Sequence, residues 1–303
     1  MSDTLPRHTA ITLFAVVVFS WGITWPVTKV IVAQVPPLWT TTIRSAIAGV
    51  ALLSLLLRRG TLIVPKPGDW PVVVNIALLH MVAFAALVAV GLQLISAGRS
   101  VVLGYTAPLW VVPGARLFLG ERITARRAVG VSIGVAGLIL LFNPLAFDWG
   151  DSNAVLGNGL ILLGALCWAV SILHVRAHPW ISTPFQLVFW EVLLATAVLL
   201  ALSLWIEGPP PPITWTVELV GLFLFVSVFG VVVAYWAMAM VNRSLPAVTT
   251  SLGILATPVV GTLGSAIALG EPIGMALLVA MALILSGIAV GTIDRGPTSA
   301  SAS

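Results

Sequence analysis

Charge is what this sequence has least of. Only 8% of its 303 residues are Asp, Glu, Lys or Arg, against about a quarter in a water-soluble chain, so its outer surface cannot be built to face water. A single cysteine, Cys167, excludes an intrachain disulfide framework and a cysteine metal site. His-Glu-x-x-His, the Walker A sequence and carboxylates at metal-ligand spacing are also missing, which removes the commonest zinc-hydrolase and nucleotide-hydrolysing readings. Gly130-Val-Ser-Ile-Gly134 has the spacing of a hydrolase nucleophile elbow. That device works only on a strained strand-to-helix turn, and here the pentapeptide lies inside a continuous apolar run. The reading is of a protein that is not an enzyme, with no cofactor, no metal and no catalytic residue.

What the chain does have is apolar length. Hydrophobic residues make up 59% of it and the mean hydropathy is +1.12, the composition of a membrane protein. At 1.5 Å per residue, about 20 residues cross the roughly 30 Å hydrocarbon layer. Ten runs of about that length are found, at 9–32, 38–57, 70–95, 99–119, 127–147, 154–175, 184–206, 215–240, 245–269 and 272–293. The first ends in Trp-Gly-Ile-Thr-Trp-Pro rather than in the small residues of a cleaved signal, so it reads as a retained span. The expected fold is all-α and integral to the membrane, with ten transmembrane helices.

Those ten runs form two sets of five. Pro108, Leu119, Gly120, Glu121 and Ile123 recur 150 residues later as Pro258, Leu269, Gly270, Glu271 and Ile273, and Gly137 recurs as Gly287. Earlier in each half the offset is 147, pairing Trp21 with Trp168, Lys29 with Arg176 and Arg44 with Glu191. Residues 1–148 are one five-helix repeat, 154–293 the second, and 294–303 a small, polar, disordered tail. Because five is odd, the second repeat must enter the membrane from the opposite side, which makes the repeats inverted.

The basic residues test that orientation, since Lys and Arg collect on the cytoplasmic side. With the N-terminus inside, Arg7, Arg58, Arg59, Lys66, Arg122, Arg126, Arg127, Arg176, Arg243 and Arg295 fall on cytoplasmic ends, and only Arg99 falls outside. Asp148, Asp151, Glu207, Glu218 and Glu271 fall on the outer side. Both termini are therefore expected in the cytoplasm. The net charge of +4 belongs to this distribution and not to nucleic-acid binding.

The Trp21-Gly22 start, the Pro108 and Pro258 frames closing in Gly120-Glu121 and Gly270-Glu271, and ten spans in two halves resemble the drug/metabolite transporter superfamily and its EamA-type members over nearly the whole chain. Through His80 in the third span and the intramembrane Trp168 it looks most like the YddG-type amino-acid exporters. The resemblance implies a secondary transporter of the cell inner membrane that exports small zwitterionic metabolites, foremost neutral and aromatic amino acids. The superfamily also moves sugars, nucleotide-sugars and drugs, and these stay open as alternatives. So, more remotely, does a membrane-embedded enzyme.

Candidate site residues follow from depth and repeat equivalence. Transporter sites lie near the midplane between repeats, where Trp21 and Trp168 are equivalent and both central. His80, halfway through its span, is an ionisable residue at a depth where such residues mark function; a neutral histidine bonded to a neighbouring helix is the alternative. Tyr105 offers a hydroxyl and a ring that can stack, and Trp110 sits several residues inside the same span. These five, His80, Trp168, Trp21, Tyr105 and Trp110, are expected to line a substrate cavity. Arg44 and Glu191 each lie about 10 Å inside opposite faces, counting seven residues at 1.5 Å. They read either as pathway charges, for a carboxylate and an ammonium respectively, or as members of buried ion pairs.

Pro26, Pro108 and Pro258 interrupt their spans and are candidate hinges. Gly130-x-x-x-Gly134 and Gly287-x-x-x-Gly291 allow close helix packing, within the chain or between the chains of a homodimer. The expected partners are a small-molecule substrate and membrane lipid. With Glu191 off-centre and His80 the only deep alternative, solute movement without obligatory ion coupling is expected.

Overall fold

The computed structural model describes residues 5–142, 149–245, 249–250 and 253–292. Asp148, Arg295 and the tail 294–303 lie outside the described residues, as do the end of the fifth predicted span and the last residue of the tenth. Within them the chain is helical and without strands. The helical stretches are α1 (Arg7–Val32), α2 (Pro37–Arg59), α3 (Pro67–Leu94), α4 (Ala97–Phe118), α5 (Ala125–Phe142), α6 (Ser152–Ala177), α7 (Pro184–Ile206), α8 (Val217–Ser244), α9 (Ala256–Leu269) and α10 (Met275–Thr292). Seven of them, α1–α4 and α6–α8, are long and apolar enough to cross a membrane, and α9 and α10 supply shorter apolar helices.

The helices begin where the sequence supplies acceptors for their first amides, which have no intrahelical partner. Asp151 accepts from the amides of Asn153 and Ala154 to start α6. Thr183 and Gln186 form a capping box around Pro184 at the head of α7, and Thr216 accepts from Leu219 N–H to open α8. Two of the acids expected on the outer side cap helices far away in sequence. Glu207 accepts from the amides of Leu38 and Trp39 at the start of α2, at 2.9 and 3.0 Å. Glu271 accepts from those of Ala97 and Gly98 at the start of α4, at 2.8 and 2.9 Å. A carboxylate on a helix N-terminus is favoured by the exposed amides and by the helix dipole. At the opposite helix pole, Lys29 Nζ donates to the carbonyls of Leu92 and Ile95 as α3 ends.

Polarity is distributed inside out. Large apolar side chains such as Phe19, Val50, Leu117, Trp205 and Ile267 point outward, while Thr42, Asn158, Ser171, Ser203, Ser227 and Thr262 are buried. Buried hydroxyls and amides join helices: Thr42 to Ser203 at 2.8 Å, Ser45 to Thr196 at 2.8 Å, and Ser171 to Asn75 at 2.9 Å. Such bonds hold helices together where lipid competes for apolar contacts.

The halves interlock instead of sitting side by side. α1 packs on α8 and α9, while α6 packs on α3 and α4; α2 packs on α7, and α5 on α10. The α5–α10 crossing is set by glycine: a Cβ on Gly130 would lie 2.6 Å from the Gly287 carbonyl, and one on Gly287 would lie 2.5 Å from that of Gly130. The pentapeptide with hydrolase spacing is thus a helix contact.

Two irregularities depart from simple spans, and each occurs once per half. Ile76–Phe84 within α3 and Phe225–Val233 within α8 are π-helical, a wider turn that is frequent at functional sites. α4 breaks at Tyr105–Thr106, and the ninth predicted span, 245–269, has a turn at residues 254–255 before α9. Pro108 and Pro258 therefore sit in the first turns of new helical segments, where a missing amide costs nothing. The sequence suggests that they kink continuous spans, and instead each opens a new helical segment; Pro26 and Pro113 do lie inside helices.

Candidate functional site

α1, α2, α3 and α4 of the first half and α6, α7 and α8 of the second enclose a cavity of about 160 Å³. One water needs roughly 10–15 Å³ by this measure, so the space suits an organic solute. One wall is an aromatic box centred on Trp168. His80 stacks on the indole with ring centroids 5.3 Å apart and planes 4° from parallel. Phe84 leans on it at 5.3 Å and 45°, and Tyr105 meets it edge-on at 5.7 Å and 89°. Parallel offset and edge-to-face arrangements are the ones ring quadrupoles favour.

The local fold places each ring. His80 and Phe84 are four residues apart inside the π-helical part of α3, which turns both toward α6. Tyr105 stands at the break in α4, with Trp25 from α1 beside it at 6.5 Å. Trp25 covers Gly104, where a Cβ would lie 2.5 Å from the indole, so the glycine lets the ring reach the break. Across the cavity Trp21 donates from Nε1 to the Gly230 carbonyl in the other π-helical stretch, at 3.1 Å, and meets Tyr235 edge-on at 6.0 Å.

Of the five residues expected to form the site, Trp21, His80, Tyr105 and Trp168 line this cavity and Trp110 does not. Trp110 packs against Ala107, Ala165 and Ala169, its Nε1 3.4 Å from Thr106 Oγ1. Of the two pathway charges, Arg44 lines the cavity and Glu191 does not; Glu191 is 3% exposed beside it. The ion-pair alternative for Arg44 is not realised: it makes no hydrogen bond or ion pair among the described residues, and its Nε is buried unpartnered. Tyr235 lies within electrostatic reach of both charges. Sequence reasoning missed Tyr235, Phe84 and Thr28, which also line the cavity; the edge contact of Tyr235 with Trp21 shows its role only in three dimensions.

No group of three or more His, Cys, Asp or Glu side chains converges on a metal position among the described residues. The arrangement offers stacking surfaces, hydroxyls and one guanidinium: it can bind a flat, partly apolar solute.

The sequence profile of the EamA-like transporter family matches residues 8–143 and again 155–292. The chain belongs to that family. The uncharacterized transporter YvbV of Bacillus subtilis (strain 168) is 27% identical over 284 residues, covering 94% of this chain and 92% of that protein. The uncharacterized inner membrane transporter YedA of Escherichia coli (strain K12) is 28% identical over 292 residues, covering 93% and 90%. A solved crystal structure with 23% identity shares the fold, with a TM-score of 0.62 over 94% of this chain and 96% of that one. The chain is thus a multi-pass membrane transporter of the drug/metabolite type with two EamA repeats, and the cavity lies between those repeats.

Proposed function

We propose that this EamA-type transporter exports small amphipathic metabolites, foremost neutral and aromatic amino acids, across the plasma membrane by alternating access of the cavity. The observation that carries the reading is that one aromatic-walled cavity takes its walls from both repeats: Trp21 and His80 from the first, Trp168, Gly230 and Tyr235 from the second. A relative movement of the halves changes such a cavity directly, as in transporters built from repeats. Partner exchange between counterpart helices, α1 with α8 and α9 and α6 with α3 and α4, supports ten spans in two inverted sets. The concentration of basic residues on the expected inner ends supports cytoplasmic termini. The paired breaks at residues 105–106 and 254–255, beside Pro108 and Pro258, are where the halves bend.

No carboxylate lines the cavity among the described residues, so the solute moves down its own gradient and leaves the cell when the cytoplasmic pool is higher. Counterflow in proteoliposomes tests this. Vesicles preloaded with unlabelled L-phenylalanine should transiently accumulate labelled L-phenylalanine from outside, and neutral amino acids should compete better than sugars or quaternary amines. Flux that never saturates and shows no exchange would point to a channel. Competition by sugars alone would move the substrate class while keeping the mechanism.

A further inference from the structure

Charge on the cavity wall is unbalanced. Among the described residues that line it, Arg44 carries the only permanent charge, and Glu191, which could have received an ammonium, lies behind the wall. The guanidinium has no partner: Nε is buried without one, and neither terminal nitrogen makes a hydrogen bond or ion pair with the described residues. Hydroxyls nearby are mostly committed. Thr41 donates to the Leu38 carbonyl, Thr40 to that of Val35, and Ser45 pairs with Thr196. Thr28 Oγ1, also in the wall, is buried with none. Arg44, His80 and Trp168 line the same cavity, so one solute can meet both the guanidinium and the ring stack.

From this geometry we infer that the cavity is a carboxylate site: Arg44, assisted by Thr28, takes the carboxylate of an organic acid whose flat apolar body lies on the His80–Trp168 stack, and the site makes no demand for an ammonium group. The inference rests on the transport reading and narrows its substrate class. A guanidinium presents paired donors that match a carboxylate in a bidentate fork, and a buried cation without a partner gains more from an anionic ligand than from a neutral one. Amino acids then bind through their carboxylates, and acids lacking the amine bind at least as well.

Four solutes with the same ring separate the groups: 3-phenylpropionate, L-phenylalanine, 3-phenylpropanamide and 2-phenylethylamine, each titrated by tryptophan fluorescence against the full-length protein in nanodiscs. The acid should bind at least as tightly as the amino acid and about tenfold or more tighter than the amide, the gain expected of a charge-assisted bond; the amine should bind weakest. Arg44→Gln should remove the preference for acid over amide, and Arg44→Lys should restore part of it. Equal binding of acid and amide to the wild-type protein, absence of binding by all four, or an unchanged preference in Arg44→Gln would overturn the assignment. Should Arg44→Gln not fold, the wild-type comparison still decides. Arg44-dependent acid binding with no flux of any solute would leave the site standing and remove the transport reading. Flux of the amine as fast as the acid would do the reverse.

Discussion

His80 and Trp168 stand on different repeats, on α3 and α6, and meet face to face in the cavity wall. An aromatic pair of this kind contributes about 0.5–1.5 kcal/mol beyond burial, so His80→Ala or Trp168→Ala should weaken solute affinity roughly 2- to 10-fold with expression intact, measured as the half-saturating concentration for exchange. Trp110→Ala, outside the cavity, should leave that concentration unchanged. Full transport of every solute by both cavity variants would remove the aromatic box from the mechanism.

Arg44 poses the opposite question, because a charge inside a membrane helix is costly, up to about 2.5–3.5 kcal/mol at the helix centre on insertion scales, and here no structural partner offsets it. Arg44→Met should therefore leave the unfolding temperature in detergent unchanged or raise it, while binding of 3-phenylpropionate falls about tenfold or more, to the level of the amide. A fall of several degrees would make Arg44 a structural residue. The sequence gives depth along a helix but not rotation about it. His80, Trp168, Trp21 and Tyr105 were legible as central residues, and Trp110, equally deep, turned out to face a neighbouring helix. Tyr235 escaped because nothing in its spacing tells of Trp21 across the cavity.

Among the elements, the glycine crossing of α5 and α10 is the most sharply constrained, since a side chain at Gly130 or Gly287 meets backbone and not a movable side chain. Gly130→Leu or Gly287→Leu should lower the yield of monodisperse protein on size exclusion and its unfolding temperature. Gly221→Ala, where a Cβ meets nothing within 4 Å, should be neutral or stabilising by about 0.5–1 kcal/mol, the ordinary preference of a helix for alanine. Positions of these elements were readable from apolar runs and the repeated Pro-to-Gly-Glu frame. The π-helical stretches were not, because one extra residue in a turn leaves the hydropathy of the run unchanged. Nor was the use of Glu207 and Glu271 as caps for α2 and α4, which joins residues more than 150 positions apart. The prolines were visible, but whether each kinks a helix or opens a new one depends on the break before it.

For the whole molecule the inverted reading makes a topological demand: reporters fused near Val35, Ser152, Pro210 and Glu271 should all report outside, and both termini inside. A cytoplasmic signal after Glu271 would dissolve the inversion and with it the reason to place the site between the halves. The central claim, that one cavity faces each side in turn, is tested most directly by thiol accessibility. With the single cysteine removed as Cys167→Ser, Ala85→Cys places one thiol in the cavity wall, and a membrane-impermeant thiol reagent is applied to either face of oriented vesicles. Alternating access predicts labelling from both faces, with a solute gradient raising one rate as it lowers the other. Labelling from one face only, at a rate that no solute and no gradient alters, would contradict it.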